Sequence, residues 1–304
     1  MYSFSTCWNS HRHTDGRAML RELRDLGFDH AELSHGIRLS LVPGILAAVD
    51  AGEIKISSLH NFCPLPLGVA KAAPNLYEFS AASARDRELA LKHTLKTFEF
   101  ASRVKAQIVV LHLGRIELKD YTGKLGQMLQ RGEKETSRYE KLRAEVLKVR
   151  AAKKEKFFAH TKETLRHLLP AAAQRGLTLG CENRQALEEI PLESDFEDFF
   201  RDLASPHLAY WHDTGHAQIK ENFGFIRHAE FLQSLAPRLA GFHVHDVIFP
   251  TGDHAAPGAG MIDFAALKPF VKPAHVKVFE LSPQLSVAEV RRGIAHLKAI
   301  WGNE

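Results

Sequence analysis

Eight short runs rich in β-branched and aromatic residues alternate along this chain with longer stretches of helical spacing, the pattern required by βα units joined into one parallel sheet. The runs lie near Tyr2 to Cys7, His30 to Leu33, Ile54 to His60, Gln107 to Leu113, Leu177 to Glu182, Leu208 to Asp213, Leu239 to His245 and Val276 to Leu281. Eight is the strand number of a closed barrel, and 304 residues with 45% hydrophobic content suit one such domain. No Gly-, Ser- or Pro-rich linker divides the chain. The fold class predicted is α/β, a single (β/α)8 TIM barrel over residues 1–304.

The helical stretches carry the matching signals. Leu91, Leu95 and Phe98 recur at helical spacing, as do Val287, Val290, Ile294, Leu297 and Trp301, and such stripes predict helix faces packed on the sheet. Gly27 after LRDL and Gly176 after AAAQR read as helix C-cap glycines that feed the second and fifth strands. One segment breaks the rhythm. Residues Arg115 to Lys156, rich in Lys, Arg and Glu, far exceed the usual ~2–6-residue βα connection, so a charged helical insertion (115–156) follows strand four. It starts at the face where strands end and could form a lid, a subunit contact within a homo-oligomer, or a solvated helical excursion.

Composition excludes several classes. No run approaches the ~18 apolar residues of a membrane span, and the amino terminus MYSFSTCWNSHRH has no charged head followed by an apolar stretch, so a soluble cytoplasmic protein with no membrane partner is expected. Cys7, Cys63 and Cys181 are an odd number without CxxC spacing, which argues against disulfides and a thiolate zinc site. A net charge of +4 is too weak to imply nucleic acid. No GxGxxG, P-loop or GxSxG context supports a nucleotide cofactor or a serine hydrolase.

What the strand ends carry is more specific. LTLGCEN ends at Glu182, LAYWHD at Asp213, LAGFHVHD at His243 and His245, and VKVFE at Glu280. Residues at the carboxyl ends of neighbouring parallel strands converge at the barrel mouth, where such barrels keep their chemistry. Three carboxylates and an imidazole form an O3N set suited to one Mn, Mg, Co or Zn ion, whose charge would relieve the repulsion among the acids. His243 and His245 share one strand face, so either could be the ligand. His60 and His112 end strands three and four, His216 follows Asp213 by three residues, and Glu32 ends strand two; these are candidates for substrate contact or a further metal.

The AEL, VLHLG, LGCEN, HDTGHA, FHVHD followed by GDHAAPGAGMIDF, and the final FEL together resemble the xylose-isomerase-like TIM-barrel superfamily of sugar isomerases and epimerases, which also holds zinc-dependent apurinic-site endonucleases. The resemblance implies a single-metal site of Glu182, Asp213, His243 and Glu280. His243 is preferred over His245 there because it stands three residues before an acid, Asp246. Two departures stand out. The arginine that ketose 3-epimerases carry six residues after the histidine is Phe249 here, or Thr251 counted from His245, and the endonucleases' Asp-x-His is an adjacent Asp253-His254.

The function expected is a metal-dependent isomerase or epimerase of a small polyhydroxylated carbonyl compound: a sugar, a sugar derivative or an inosose. Glu182 and Glu280 would be the catalytic acid/base pair working through a metal-stabilised enediolate. His60, His112, His216, His245, Glu32 and His254 would contact substrate. A dehydratase would look much the same in sequence. The competitor is a phosphodiesterase acting at abasic DNA, with His60, His112, His216 and His254 as extra ligands of a multinuclear site.

Overall fold

The computed structural model describes residues 1–69, 71–73 and 75–303. Eight parallel strands close into a barrel: β1 (Tyr2–Ser5), β2 (His30–Leu33), β3 (Lys55–His60), β4 (Ile108–Leu111), β5 (Thr178–Glu182), β6 (Leu208–Asp213), β7 (Leu239–Val244) and β10 (Val276–Phe279). A hairpin of β8 (Asp246–Ile248) and β9 (Gly252–Ala255) stands apart from them, after β7. All eight barrel strands fall inside the runs predicted for them, trimmed by a residue or two where the chain turns into a loop.

Around the strands lie α1 (Gly16–Asp25), α2 (Val42–Asp50), α3 (Ala84–Arg103), α4 (Tyr121–Gln130), α5 (Ser137–Gln174), α6 (Phe196–Asp202), α7 (Thr214–Asn222), α8 (His228–Leu235), α9 (Phe264–Leu267) and α10 (Val287–Trp301). No described helix is long and apolar enough to cross a membrane. Gly27 and Gly176 end α1 and α5 as the sequence implied. Each adopts a left-handed conformation (φ 95° and 64°), and the next residue reaches back with its N–H, Phe28 to Leu23 O and Leu177 to Ala172 O. Of the α10 stripe, Val290, Ile294, Leu297 and Trp301 are buried, but Val287 is 45% exposed. It is the first helical residue after the capping box of Ser286 and Glu289, before the helix reaches the sheet.

The charged segment after β4 consists of α4 and the first half of α5, which runs unbroken through Lys156 to Gln174. It grips the loop that follows β5. The Glu188 carboxylate accepts the backbone N–H of Tyr121 (2.7 Å) and Thr122 (3.1 Å) at the start of α4. Arg150 is buried, donating to Leu187 O (2.8 Å) and to Asp195 Oδ2 (2.9 Å).

Inside the barrel, Trp211, Val110, Val276 and Val278 form a small cluster beneath the strand ends. The Trp211 ring meets the His243 ring edge to face at 5.2 Å. Two glycines make room for it. A Cβ on Gly241 would lie 2.5 Å from Trp211 Cζ3 and 2.6 Å from Val276 O, and one on Gly180 would press on the same indole at 3.3 Å. Gly241→Ala is therefore expected to destabilise the fold by about 2 kcal/mol through overpacking, measured by urea denaturation. A variant as stable as wild type would show that this indole has room to move.

Candidate metal centre

Register brings the four candidate ligands together. Asp213 is the cross-strand partner of His243, which also pairs with Val278, and the Glu280 N–H continues that ladder to Val244 O (3.2 Å). Glu182 pairs with Trp211, two residues before Asp213, so all four side chains gather at one end of the sheet. Each offers a ligand atom, and these atoms lie within 4.8 Å of one another. His243 Nδ1 is central: 3.1 Å from Glu182 Oε1, 3.1 Å from Glu280 Oε2 and 3.9 Å from Asp213 Oδ2. All four residues are buried.

The supports explain why these atoms face inward. His243 Nε2 donates to both oxygens of Glu32 at 3.1 Å, and Ser58 Oγ donates to Glu32 Oε2 at 2.8 Å. Glu32 thus fixes the imidazole tautomer so that Nδ1 is the nitrogen left for a cation, the way a carboxylate orients a metal-binding histidine. Asp213 caps α7, its Oδ1 accepting His216 N–H at 2.7 Å, while Oδ2 points toward His243. Capping and ligation are compatible in one side chain. Asn183 holds Asp213 in place, accepting its N–H (2.7 Å) and donating to its C=O (3.0 Å).

Glu32 and His245 sit elsewhere than the sequence reading had them. Both were expected to touch substrate, but both are fully buried and neither lines the cleft at the mouth. His245 lies against Asp213, its Nε2 3.0 Å from Oδ1, and its Nδ1 accepts the His254 N–H at 2.8 Å. Each instead contacts a member of the four-residue cluster, Glu32 at His243 and His245 at Asp213. The cleft itself, about 170 Å3, is lined by His60, His112, His216 and His254 as expected, with Glu182 and Glu280. His254 is held in a left-handed backbone (φ 57°), unusual without glycine, and its ring stacks on His245 at 4.3 Å.

Three lining residues were missed: His35, Arg184 and Gln185. Arg184 was legible in CENR, two residues past Glu182; its Nη1 lies 3.2 Å from Glu182 Oε2 and its Nε donates to Glu189 Oε1 at 3.2 Å. His35 follows the AEL strand end in SHG. Asn75, whose Oδ1 faces His112 Nδ1 at 3.1 Å, comes from the long loop after β3 and left no sequence signal.

The electrostatics would suit a bound cation. Burial alone would raise the Glu182 carboxyl, but Arg184, His112 and His243 hold it well below the usual range. Burial would lower His243, yet Glu280, Glu32 and Glu182 outweigh it and keep it well above the ordinary imidazole value. Burial and then Arg184 push His112 down to about 3, so it stays neutral. Glu182 Oε2 has nitrogens nearby, His112 Nε2 at 2.7 Å and Arg184 Nη1 at 3.2 Å, but none is aligned for a hydrogen bond. A buried carboxylate oxygen without an aligned donor, among three converging acids, fits a divalent cation.

Residues 20–300 match the sequence profile of the xylose isomerase-like TIM barrel. The chain belongs to that family. Among solved structures, a D-tagatose 3-epimerase-like protein superposes with a TM-score of 0.70 at 17% identity, over 98% of this chain and 96% of that one. The 3-keto-D-glucoside 4-epimerase of E. coli gives 0.67 at 15% identity, over 98% of each chain. D-psicose 3-epimerase of Clostridium cellulolyticum H10, solved with D-tagatose, gives 0.66 at 13% identity, over 99% of each. At these identities the likeness concerns the fold. No curated protein matches the chain by sequence.

Proposed function

We propose that the protein is a metal-dependent isomerase or epimerase of a small sugar or sugar derivative, acting by proton transfer at a carbon next to a carbonyl. The observation that carries this reading is the convergence of Glu182, Asp213, His243 and Glu280 within 4.8 Å, beside a cleft of only about 170 Å3. A divalent ion held by these four residues would supply Lewis acidity to the carbonyl oxygen, making the adjacent C–H acidic. Of the four, Glu182 and Glu280 also face the cleft, so they are the proton carriers: one takes the α-proton and the other returns a proton to the enediolate. His216 and His254 line the same cleft and would meet substrate hydroxyls. The epimerases of like fold support the same class of activity.

A specific observation favours a second reading. His60 Nδ1 lies 3.0 Å from Asn61 O and His112 Nδ1 3.1 Å from Asn75 Oδ1, so both rings turn Nε2 toward the cleft, where a cation would find it as a ligand. The two Nε2 atoms meet at Glu182 Oε2, 3.5 Å from His60 and 2.7 Å from His112. The three atoms can hold a further cation, and Asp213, His216 and His245 form another such group. A multinuclear site is what a metal-dependent phosphodiesterase would need.

Metal content and hydrogen exchange separate the two. About one metal per chain, with metal-dependent deuterium uptake from D2O into a ketose, aldose or inosose, is the expected result. Three metals per chain and nicking of abasic duplex DNA that is lost in Glu280→Gln, with neither exchange nor conversion across the panel, would replace the isomerase by the phosphodiesterase.

A further inference from the structure

Most of the longer helices end alike. After α1, α2, α4, α5 and α7, the residue two places beyond the last helical position is a glycine in a left-handed backbone: Gly27, Gly52, Gly132, Gly176 and Gly224. α3 closes with the same turn, the Ala106 N–H reaching back to Ala101 O at 2.9 Å, but its left-handed residue is Lys105 (φ 60°). A side chain there costs backbone strain that glycine avoids. The dipole of α3 does not call for this lysine, because Arg103 already stands in the last turn.

Lys105 lines a cavity of about 400 Å3 at the amino end of the barrel strands, the end away from the metal centre. There it joins His30, which opens β2, and Lys55, which opens β3 as the cross-strand partner of His30. Neither lysine has an ion pair among the described residues, and no carboxylate lines the cavity. Burial and then the Lys55 ammonium hold the His30 imidazole below its usual range. Positive groups gathered without an acid repel one another, and a bound anion would relieve that repulsion.

The remaining walls are largely apolar: Val49 near the end of α2, Ile54 and Ile56 around the start of β3, and Val104 just past α3. The volume falls in the range of ~300–1,000 Å3 typical of small-molecule sites, where apolar walls take the body of a ligand and a few polar groups orient it. Charge selects among anions. A phosphomonoester carries about −1.5 to −2 and three acceptor oxygens, enough to answer two ammonium groups, whereas a carboxylate answers only one.

We propose that the amino end of the barrel is a second binding site, for a small phosphomonoester with an apolar body. Lys55 and Lys105 receive the phosphate, His30 stands beside it, and the valines and isoleucines hold the body. The site lies at the opposite end of the strands from the cleft and does not depend on what that cleft catalyses.

The probe is 1-naphthyl phosphate, titrated by calorimetry into protein supplied with Mn2+, with inorganic phosphate and 1-naphthoate for comparison. A Kd of about 100 µM or tighter is expected for the probe. Both comparison compounds should bind at least about tenfold more weakly, since one lacks the body and the other the second charge. Lys105→Gly removes the ammonium and the backbone strain together, so Tm should hold or rise while affinity falls about tenfold. Lys55→Gln should weaken binding by the same factor, and it decides the case if Lys105→Gly unfolds earlier than wild type. No saturable binding of the probe, an affinity unchanged in the lysine variants, or a comparison compound binding as tightly as the probe would overturn the proposal.

Discussion

Glu182→Gln is expected to lower turnover about a thousandfold or more while leaving the protein folded. Glu182 belongs to two of the groups able to hold a cation, stands 3.1 Å from His243 and lines the cleft, so its amide loses a ligand charge and a proton carrier together. The amide keeps the shape of the side chain, so the fold survives, but buried Arg184 and His243 lose a partner charge. Thermal unfolding of the chelated variant should therefore fall below that of chelated wild type while remaining a cooperative transition. Glu280→Gln should behave alike, since its Oε2 is equally close to His243. Assays at saturating metal, with metal content measured, separate a lost ligand from a lost base. A variant that retains more than a tenth of wild-type turnover when loaded would remove that glutamate from the mechanism.

Stripping the metal is expected to lower thermal stability by several degrees, and the gap between loaded and stripped protein should widen from pH 6 to pH 9. A ligand present at about a thousand times its Kd adds about 4 kcal/mol to the folded state. The pH trend follows from His243. Its folded value is raised well above the usual imidazole range by Glu280, Glu32 and Glu182 against the opposing effect of burial. The stabilisation that its proton gives the stripped protein is therefore complete below about pH 6.5 and is lost as pH rises through the folded value. Glu182 is held low, so its contribution is present above about pH 4 and fades only in acid, outside this window. In the loaded protein the same proton competes with the cation, so binding strengthens as the pH climbs. Scanning fluorimetry with and without chelator reads both trends. No stabilisation by any divalent ion, or a gap that narrows toward alkaline pH, would contradict the cation site.

Much of this molecule is written locally. The eight strands are legible because an apolar β-rich run and the helix that follows it have different periods, and each period is a property of a few consecutive residues. Gly27 and Gly176 mark helix ends because the left-handed turn that stops a helix is cheap only for residues like glycine. The four converging side chains are legible for a related reason: in a parallel barrel every strand's carboxyl end faces the same way, so counting to the last strand residue finds the mouth.

What the sequence left open depends on contacts between segments far apart in the chain. Alternation puts His243 and His245 on one face and cannot choose between them; the pairing of β7 with β6 and β10 sets His243 beside Asp213, within 3.1 Å of Glu182 and Glu280, while His245 lies beyond the strand where the chain turns into the β8–β9 hairpin. Glu32 meets His243 across 211 positions of chain, which is why no local pattern could pair this strand-end acid with that imidazole. Asn75 behind His112 and the grip of α4 and α5 on the loop carrying Arg184 have no local pattern at all. The residues alone determined which groups reach the mouth of the barrel, because direction and period are local; closure of the barrel decided which of them touch, because distance between segments is not.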